Sequence, residues 1–237
     1  AGAFRLASAL RSARNCAVTS LDLTGNGIGD EGAVAIARAF SENSTLLISA
    51  INVSSNHMSV EGVEALCSAL AAQSRHHSNA IKVNFSDNDL GLSGATVLQN
   101  LIANRSLNIT SVIAAKTGIP SESMCGIGRA MLSSNSLAEL DLSSNGMTPV
   151  GVVFLCDALR AAKGAGACLE TLTLCDNMLG DRGVAALVQA LSSPGCTALA
   201  HLNLQGNMIT DQGAGMLQEL VCDARAAASA ARLCSLD

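Results

Sequence analysis

An asparagine with an apolar residue two places on and a glycine six places on recurs along the whole of this chain. The copies are Asn26/Ile28/Gly32, Asn56/Met58/Gly62, Asn88/Leu90/Gly94, Asn145/Met147/Gly151, Asn177/Leu179/Gly183 and Asn207/Ile209/Gly213. Successive asparagines stand 30 and 32 residues apart, then 57, then 32 and 30, so the long gap has room for one degenerate copy. A period of about 30 residues is the signature of a solenoid, in which each unit buries its apolar face only against its neighbours. The 237 residues are therefore read as a linear array and not as a globule with one centre.

Composition narrows what such an array can do. With 49% hydrophobic and 14% charged residues, the chain is far too apolar to stay disordered. No apolar run reaches the roughly 18–20 residues that a membrane-spanning helix needs, and no secretory leader pattern opens the chain, so it is expected to be soluble and not a membrane binder. It does not begin with Met, and an upstream portion is expected. A net charge of −5 without a long basic run speaks against nucleic acid as the ligand. Tyr and Trp are absent and Phe occurs four times, which leaves little on which bases could stack.

The nine cysteines are odd in number and form no C-x-x-C pair. Cys67 and Cys156 occupy the same helical position of their repeats, so the expectation is small buried hydrophobes in a reducing, cytoplasmic compartment. Matches to N-x-[ST] at Asn43, Asn52, Asn84, Asn104 and Asn108 are discounted as glycosylation sites. Two of them fall on predicted strands, and a chain rich in Asn, Ser and Thr makes such matches by chance.

One unit, residues 18–44, serves as the pattern. Val18, Leu21, Leu23, Asn26 and Ile28 read L-x-x-L-x-L-x-x-N-x-I, and the period of two at Leu21 and Leu23 predicts a short strand with one buried face. The asparagine falls where the chain leaves the strand. A buried amide there can bond turn backbone that would otherwise be unpaired, so stacked repeats should build an amide ladder from Asn26, Asn56, Asn88, Asn145, Asn177 and Asn207. Ala33, Ile36, Ala37 and Phe40 then follow at helical spacing. Asp30 is placed to cap that helix, with Asp181 and Asp211 at the same offset in their own repeats.

The other units thread the same template. Ile48, Ile51 and Val53 precede a helix carrying Val63, Leu66 and Leu70, and Ala80, Val83 and Phe85 precede one carrying Ala95, Leu98 and Ile102. The degenerate copy has Ile109, Val112 and Ala114 on its strand and Met124, Ile127 and Met131 on its helix. Thr117 stands there in place of the ladder asparagine and Ser123 in place of the glycine, so this fourth repeat is expected to be the weakest joint. Residues 2–10 match the helix of a repeat and residues 233–237 match a strand. The expectation is a single domain over 1–237, with about seven full repeats and partial ones at both ends. Uncapped ends of this kind would allow end-to-end packing.

The segments LDLTGNGIGDEGAVAIARAF, LDLSSNGMTPVGVVFLCDAL, LTLCDNMLGDRGVAALVQAL and LNLQGNMITDQGAGMLQEL resemble the leucine-rich repeat proteins of the ribonuclease-inhibitor type, and the resemblance covers essentially the entire chain. It implies an α/β fold: a right-handed solenoid bent into a horseshoe, with parallel strands on the concave face and helices on the convex face. It also implies protein–protein binding, usually on the concave face. It does not choose among inhibitors, innate-immune sensor modules, a GTPase activator for Ran and cytoskeletal scaffolds.

Outward strand residues lie two, four and six places before each ladder position. Among them Asp22, Asn52, Lys82, Asn84, Ile113, Glu139, Asp141, Thr173, His201 and Asn203 are the candidate partner contacts. These polar side chains equally suit a merely solvated sheet. Ile113 and Ala115 make a small apolar centre, and the columns hold no Trp, Tyr or Arg, the usual hot-spot residues. No phosphate loop, nucleophile elbow or H-E-x-x-H motif is present, and Arg75-His76-His77 lacks further ligands for a metal. The reading is a non-enzymatic recognition scaffold without cofactor or metal, whose partner is another protein. The alternatives are a regulator of a nucleotide hydrolase and an architectural subunit of a large assembly.

Overall fold

A computed structural model describes residues 1–13, 17–73, 79–161, 168–193, 198–226 and 235–236. Strands and helices alternate along it. The strands are β1 (Ser20–Asp22), β2 (Ala50–Asn52), β3 (Ile81–Asn84), β4 (Ile109–Ile113), β5 (Glu139–Asp141), β6 (Thr171–Thr173), β7 (His201–Asn203) and β8 (Ser235–Leu236). The helices are α1 (Gly2–Ser12), α2 (Gly29–Glu42), α3 (Val60–Gln73), α4 (Gly91–Ala103), α5 (Met124–Ser133), α6 (Pro149–Ala161), α7 (Gly180–Leu191) and α8 (Asp211–Ala226). All eight strands form one parallel sheet in chain order, and each helix returns the chain to the next strand. The result is the α/β solenoid horseshoe. Among the described residues no helix is long and apolar enough to cross a membrane.

Equivalent residues stack in one continuous core. Ile51, Val83, Val112, Leu140, Leu172 and Leu202 are buried at one strand position, and Ile36, Leu66, Leu98, Ile127, Leu155 and Leu187 at one helix position. Leu21, in the same strand column, and Leu23, two places on, are only half-buried, because β1 is the sheet's edge and has a strand on one side alone. Asn26 is exposed for the same reason. The third unit departs from the template: Ala80 is exposed and Ile81 turns inward. Ile81 pairs with Ile109 while Lys82 pairs with Ser111, so β4 carries one extra residue, a bulge between two otherwise regular ladders.

Asp30 and Asp181 cap the helix of the following repeat and not their own. Asp30 Oδ1 accepts from the backbone N–H groups of Ser59 (2.8 Å) and Gly62 (3.0 Å), and its Oδ2 from Ser59 Oγ (2.8 Å). Asp181 takes the N–H (2.9 Å) and Oγ1 (2.6 Å) of Thr210 in the same way, and Ser121 bonds Thr148 likewise (2.9 and 3.1 Å). Asp211 stands at the first residue of α8. A carboxylate one stack away reaches the helix start because neighbouring units lie so close that a Cβ on Gly62 would fall 2.6 Å from Asp30 Oδ1. The glycine of the motif makes room for that oxygen.

Candidate functional site

The concave face is made by the outward residues of β1–β7, and backbone bonding decides which of them are available. The N–H three places before each ladder residue donates to the next strand, from Leu23 to Asn52 O (2.8 Å) through Leu174 to Asn203 O (2.9 Å). The N–H one place before it does the same, from Gly25 to Ser54 O (3.0 Å) through Asp176 to Gln205 O (2.8 Å). The N–H between them points the other way and needs a side chain. Asp22, Asn52, Asn84, Asp141 and Asn203 supply it, their Oδ1 atoms accepting from Thr24, Ser54, Ser86, Ser143 and Gln205 at 2.8–3.1 Å. Where that position is Ile113 or Thr173, the serine of the preceding repeat substitutes. Ala115 N–H donates to Ser86 Oγ and Cys175 N–H to Ser143 Oγ, both at 3.1 Å.

Five of the ten candidate contacts are thus committed to their own strand ends. Thr24 Oγ1 and its N–H hold the Asp22 carboxyl below the usual carboxylate range. The other five are not so engaged: Lys82 and His201 are exposed, and Ile113, Glu139 and Thr173 are half-buried.

The ladder residues sit beneath this face. Asn56, Asn88, Thr117, Asn145, Asn177 and Asn207 are buried. Each amide Nδ2 bonds strand carbonyls of its own and the preceding repeat, as Asn145 does with Leu142 (3.1 Å) and Ala114 (2.8 Å). In Asn56, Asn88, Asn145 and Asn177, Oδ1 accepts two N–H groups of the preceding turn, as from Asn26 and Ile28 on Asn56, Asn56 and Met58 on Asn88, and Asn145 and Met147 on Asn177, whereas Asn207 Oδ1 is buried without a partner. At Thr117 the backbone carbonyl takes this part, accepting from Leu90 (3.0 Å) and Gly91 (3.1 Å), while Oγ1 bonds Ala114 O and Asn145 Oδ1. The fourth repeat keeps its stacking by exchanging a side-chain acceptor for a main-chain one, but Ser123 Oγ is left buried without a partner.

The turn rim beside the ladder carries residues that periodicity did not single out. Gly25, Ser55, Asp87, Lys116, Ser144, Asp176 and Gly206, each just before a ladder residue, all have left-handed backbones with φ of 52–71°. Five are not glycine, so glycine spacing could not have revealed the column. Ser55 Oγ donates to Asp87 Oδ2 (2.8 Å), and Lys116 Nζ lies 2.7 Å from Asp87 Oδ1. Lys116 first, then Ser55, draws the Asp87 carboxyl below its ordinary range. Asp87 and Lys116, with His57 and Asp89, line a shallow groove of about 480 Å³. Its charges are exposed and largely matched to each other, and such pairs contribute little.

Among the described residues no three His, Cys, Asp or Glu side chains come together as metal ligands; residues 75–77 lie outside those described. Among the described residues Cys67, Cys125, Cys168, Cys175 and Cys222 are free thiols. Cys67 is buried, and burial pushes its thiol up to about 12.

The leucine-rich repeat family model matches residues 14–37, 48–67, 133–156 and 195–217. The ribonuclease inhibitor of Sus scrofa is 32% identical over 161 residues, covering 65% of this chain and 33% of that protein. NACHT, LRR and PYD domains-containing protein 3 of Rattus norvegicus is 26% identical over 185 residues, 68% of this chain and 17% of that protein. Protein 12 of the same series from Mus musculus is 25% identical over 216 residues, 81% of this chain and 20% of that protein. The chain spans about a third of the inhibitor's length and a fifth or less of the other two. Repeat match, inhibitor likeness and stacked geometry coincide: the chain carries leucine-rich repeats and is similar to proteins of the ribonuclease-inhibitor-like type.

Proposed function

We propose that the chain is a non-enzymatic recognition module, a single repeat domain over 1–237 that docks another protein on its concave face in the reducing environment of the cytoplasm. The observation that carries the reading is the division of labour on the sheet. Inward columns repeat Leu, Ile, Val and Asn, whereas the outermost outward column runs Ser20, Ala50, Lys82, Ser111, Glu139, Thr171 and His201. A face whose backbone is already bonded can vary its side chains at little cost to folding, which suits recognition. Lys82, Ile113, Glu139, Thr173 and His201 are the contacts we assign to the partner, with Asp22, Asn52, Asn84, Asp141 and Asn203 shaping the strand ends around them. The free thiols of Cys67, Cys125, Cys168, Cys175 and Cys222 support a reducing compartment.

A photo-crosslinking residue at 113 tests the assignment against one at Arg129 on the helix side. Protein adducts formed from position 113, and lost on Lys82→Glu, are expected. Adducts formed from Arg129 alone would overturn the concave reading.

A further inference from the structure

The amide ladder is interrupted between the sixth and seventh repeats. Asn207 is only 2% exposed, yet its Oδ1 has no hydrogen-bond partner. At the other ladder asparagines this oxygen meets the N–H of the preceding ladder residue and the N–H two places beyond it. Asn145 Oδ1 takes them from Thr117 (3.0 Å) and Ile119 (3.2 Å), and Asn177 Oδ1 from Asn145 (3.1 Å) and Met147 (2.8 Å). The corresponding N–H groups at the next joint are those of Asn177 and Leu179, and they bond no acceptor among the described residues. One acceptor and two donors that elsewhere make two bonds stay apart here.

The strand side of the same joint is intact. β6 pairs β7 from Thr171↔His201 to Thr173↔Asn203. Leu174 N–H donates to Asn203 O (2.9 Å), Asp176 N–H to Gln205 O (2.8 Å), and Asn207 Nδ2 to Leu174 O (2.8 Å). Beyond the ladder, the bonds of Asp181 to Thr210 are exposed, where those of Asp30 to Ser59 are partly buried, so water competes for them. A joint stitched along one side and unmade along the other opens at low cost about its bonded side.

We infer that the joint between the sixth and seventh repeats is a hinge, with the β6–β7 ladder as its axis, on which the Asn207 turn and α8 swing away from Leu179 and α7 as one folded unit. The degenerate fourth repeat does not take this part, because Asn145 Oδ1 and the Thr117 carbonyl keep the bonds on either side of it. The inference holds whether or not the concave face docks a partner.

Amide hydrogen exchange of the full chain, resolved residue by residue by NMR, tests it with the joint between the fifth and sixth repeats as the internal reference. The Asn177 and Leu179 amides are expected to exchange at least about tenfold faster than those of Asn145 and Met147. The Leu174 and Asp176 amides, on the axis, should stay as protected as those of Leu142 and Ser144 one repeat earlier, and the Leu220 amide inside α8 should exchange more slowly than that of Leu179. Equal protection at the two joints would overturn the hinge. So would loss of protection at Leu174 and Asp176 together with Leu179, which would mean that the repeat detaches whole. Exchange at Leu220 faster than at Leu179 would also overturn it, by showing that α8 unravels in place of swinging.

Discussion

Truncating a ladder asparagine to alanine should cost very different amounts at Asn145 and at Asn26, although the two sit in the same motif. Asn145 makes six hydrogen bonds. Its Nδ2 donates to Ala114 O, Leu142 O and Ser143 O, and its Oδ1 accepts from Thr117 N–H, Thr117 Oγ1 and Ile119 N–H. Four of the six groups it serves have a second partner, Ala114 O among them because Thr117 Oγ1 also donates to it. Thr117 Oγ1 can turn wholly to Ala114 O, Asn177 Nδ2 bonds Leu142 O, and Lys116 N–H bonds Ser143 O. The N–H groups of Thr117 and Ile119 have none. Each buried orphan costs roughly 1–3 kcal/mol, so Asn145→Ala should destabilise by roughly 2–6 kcal/mol. Asn26 bonds only Leu23 O and Thr24 O, at the exposed edge where water replaces it, and Asn26→Ala should stay within about 0.5 kcal/mol of wild type. Urea unfolding gives the two values. Because a solenoid can open locally, amide exchange at Thr117 and Ile119 gives the site-specific reading. Equal midpoints for the two variants, or unchanged protection of those amides in Asn145→Ala, would refute the reasoning.

Three further changes probe the contacts between repeats. Gly62→Ala places a methyl group 2.6 Å from Asp30 Oδ1 and 3.1 Å from Ala33 Cβ, and should cost about 1–3 kcal/mol. Combined with Asp30→Ala it should cost less than the sum of the two single changes, as thermal unfolding of the double-mutant cycle would measure. Asp181 is held below its ordinary carboxylate range, first by the Thr210 hydroxyl and then by the Thr210 N–H. Its stabilisation is therefore present above the unfolded-state value of 3.8 and is lost as pH falls through the lower folded value. The Tm gap between wild type and Asp181→Ala should be constant at neutral pH and close below that point. Ser123→Ala removes a buried hydroxyl that has no partner, and should stabilise the fourth repeat by up to about 1 kcal/mol, read as slower exchange of α5 amides.

Much of this molecule was legible in its sequence because a solenoid repeats one local solution. The 30-residue phase, the buried columns through Leu140 and Leu202, and the strand–turn–helix order follow from residue spacing alone, since each unit faces the same chemistry as its neighbours. Contacts from one repeat to the next were not legible in that way. Asp30 reads as a cap for the helix that it begins, and only stacking reveals that the nearer orphan N–H groups are those of Ser59 and Gly62. Asp22, Asn52 and Asp141 read as a polar docking column until the strands stand side by side. The middle N–H of each strand end then finds no carbonyl and takes the aspartate or asparagine oxygen instead. The end effects at Leu21 and Asn26, the bulge at Ile81 and the main-chain substitution at Thr117 belong with these. Spacing along a chain specifies which atoms recur, but the distance across a stack determines which donor an acceptor meets, and that distance exists only once the repeats have packed.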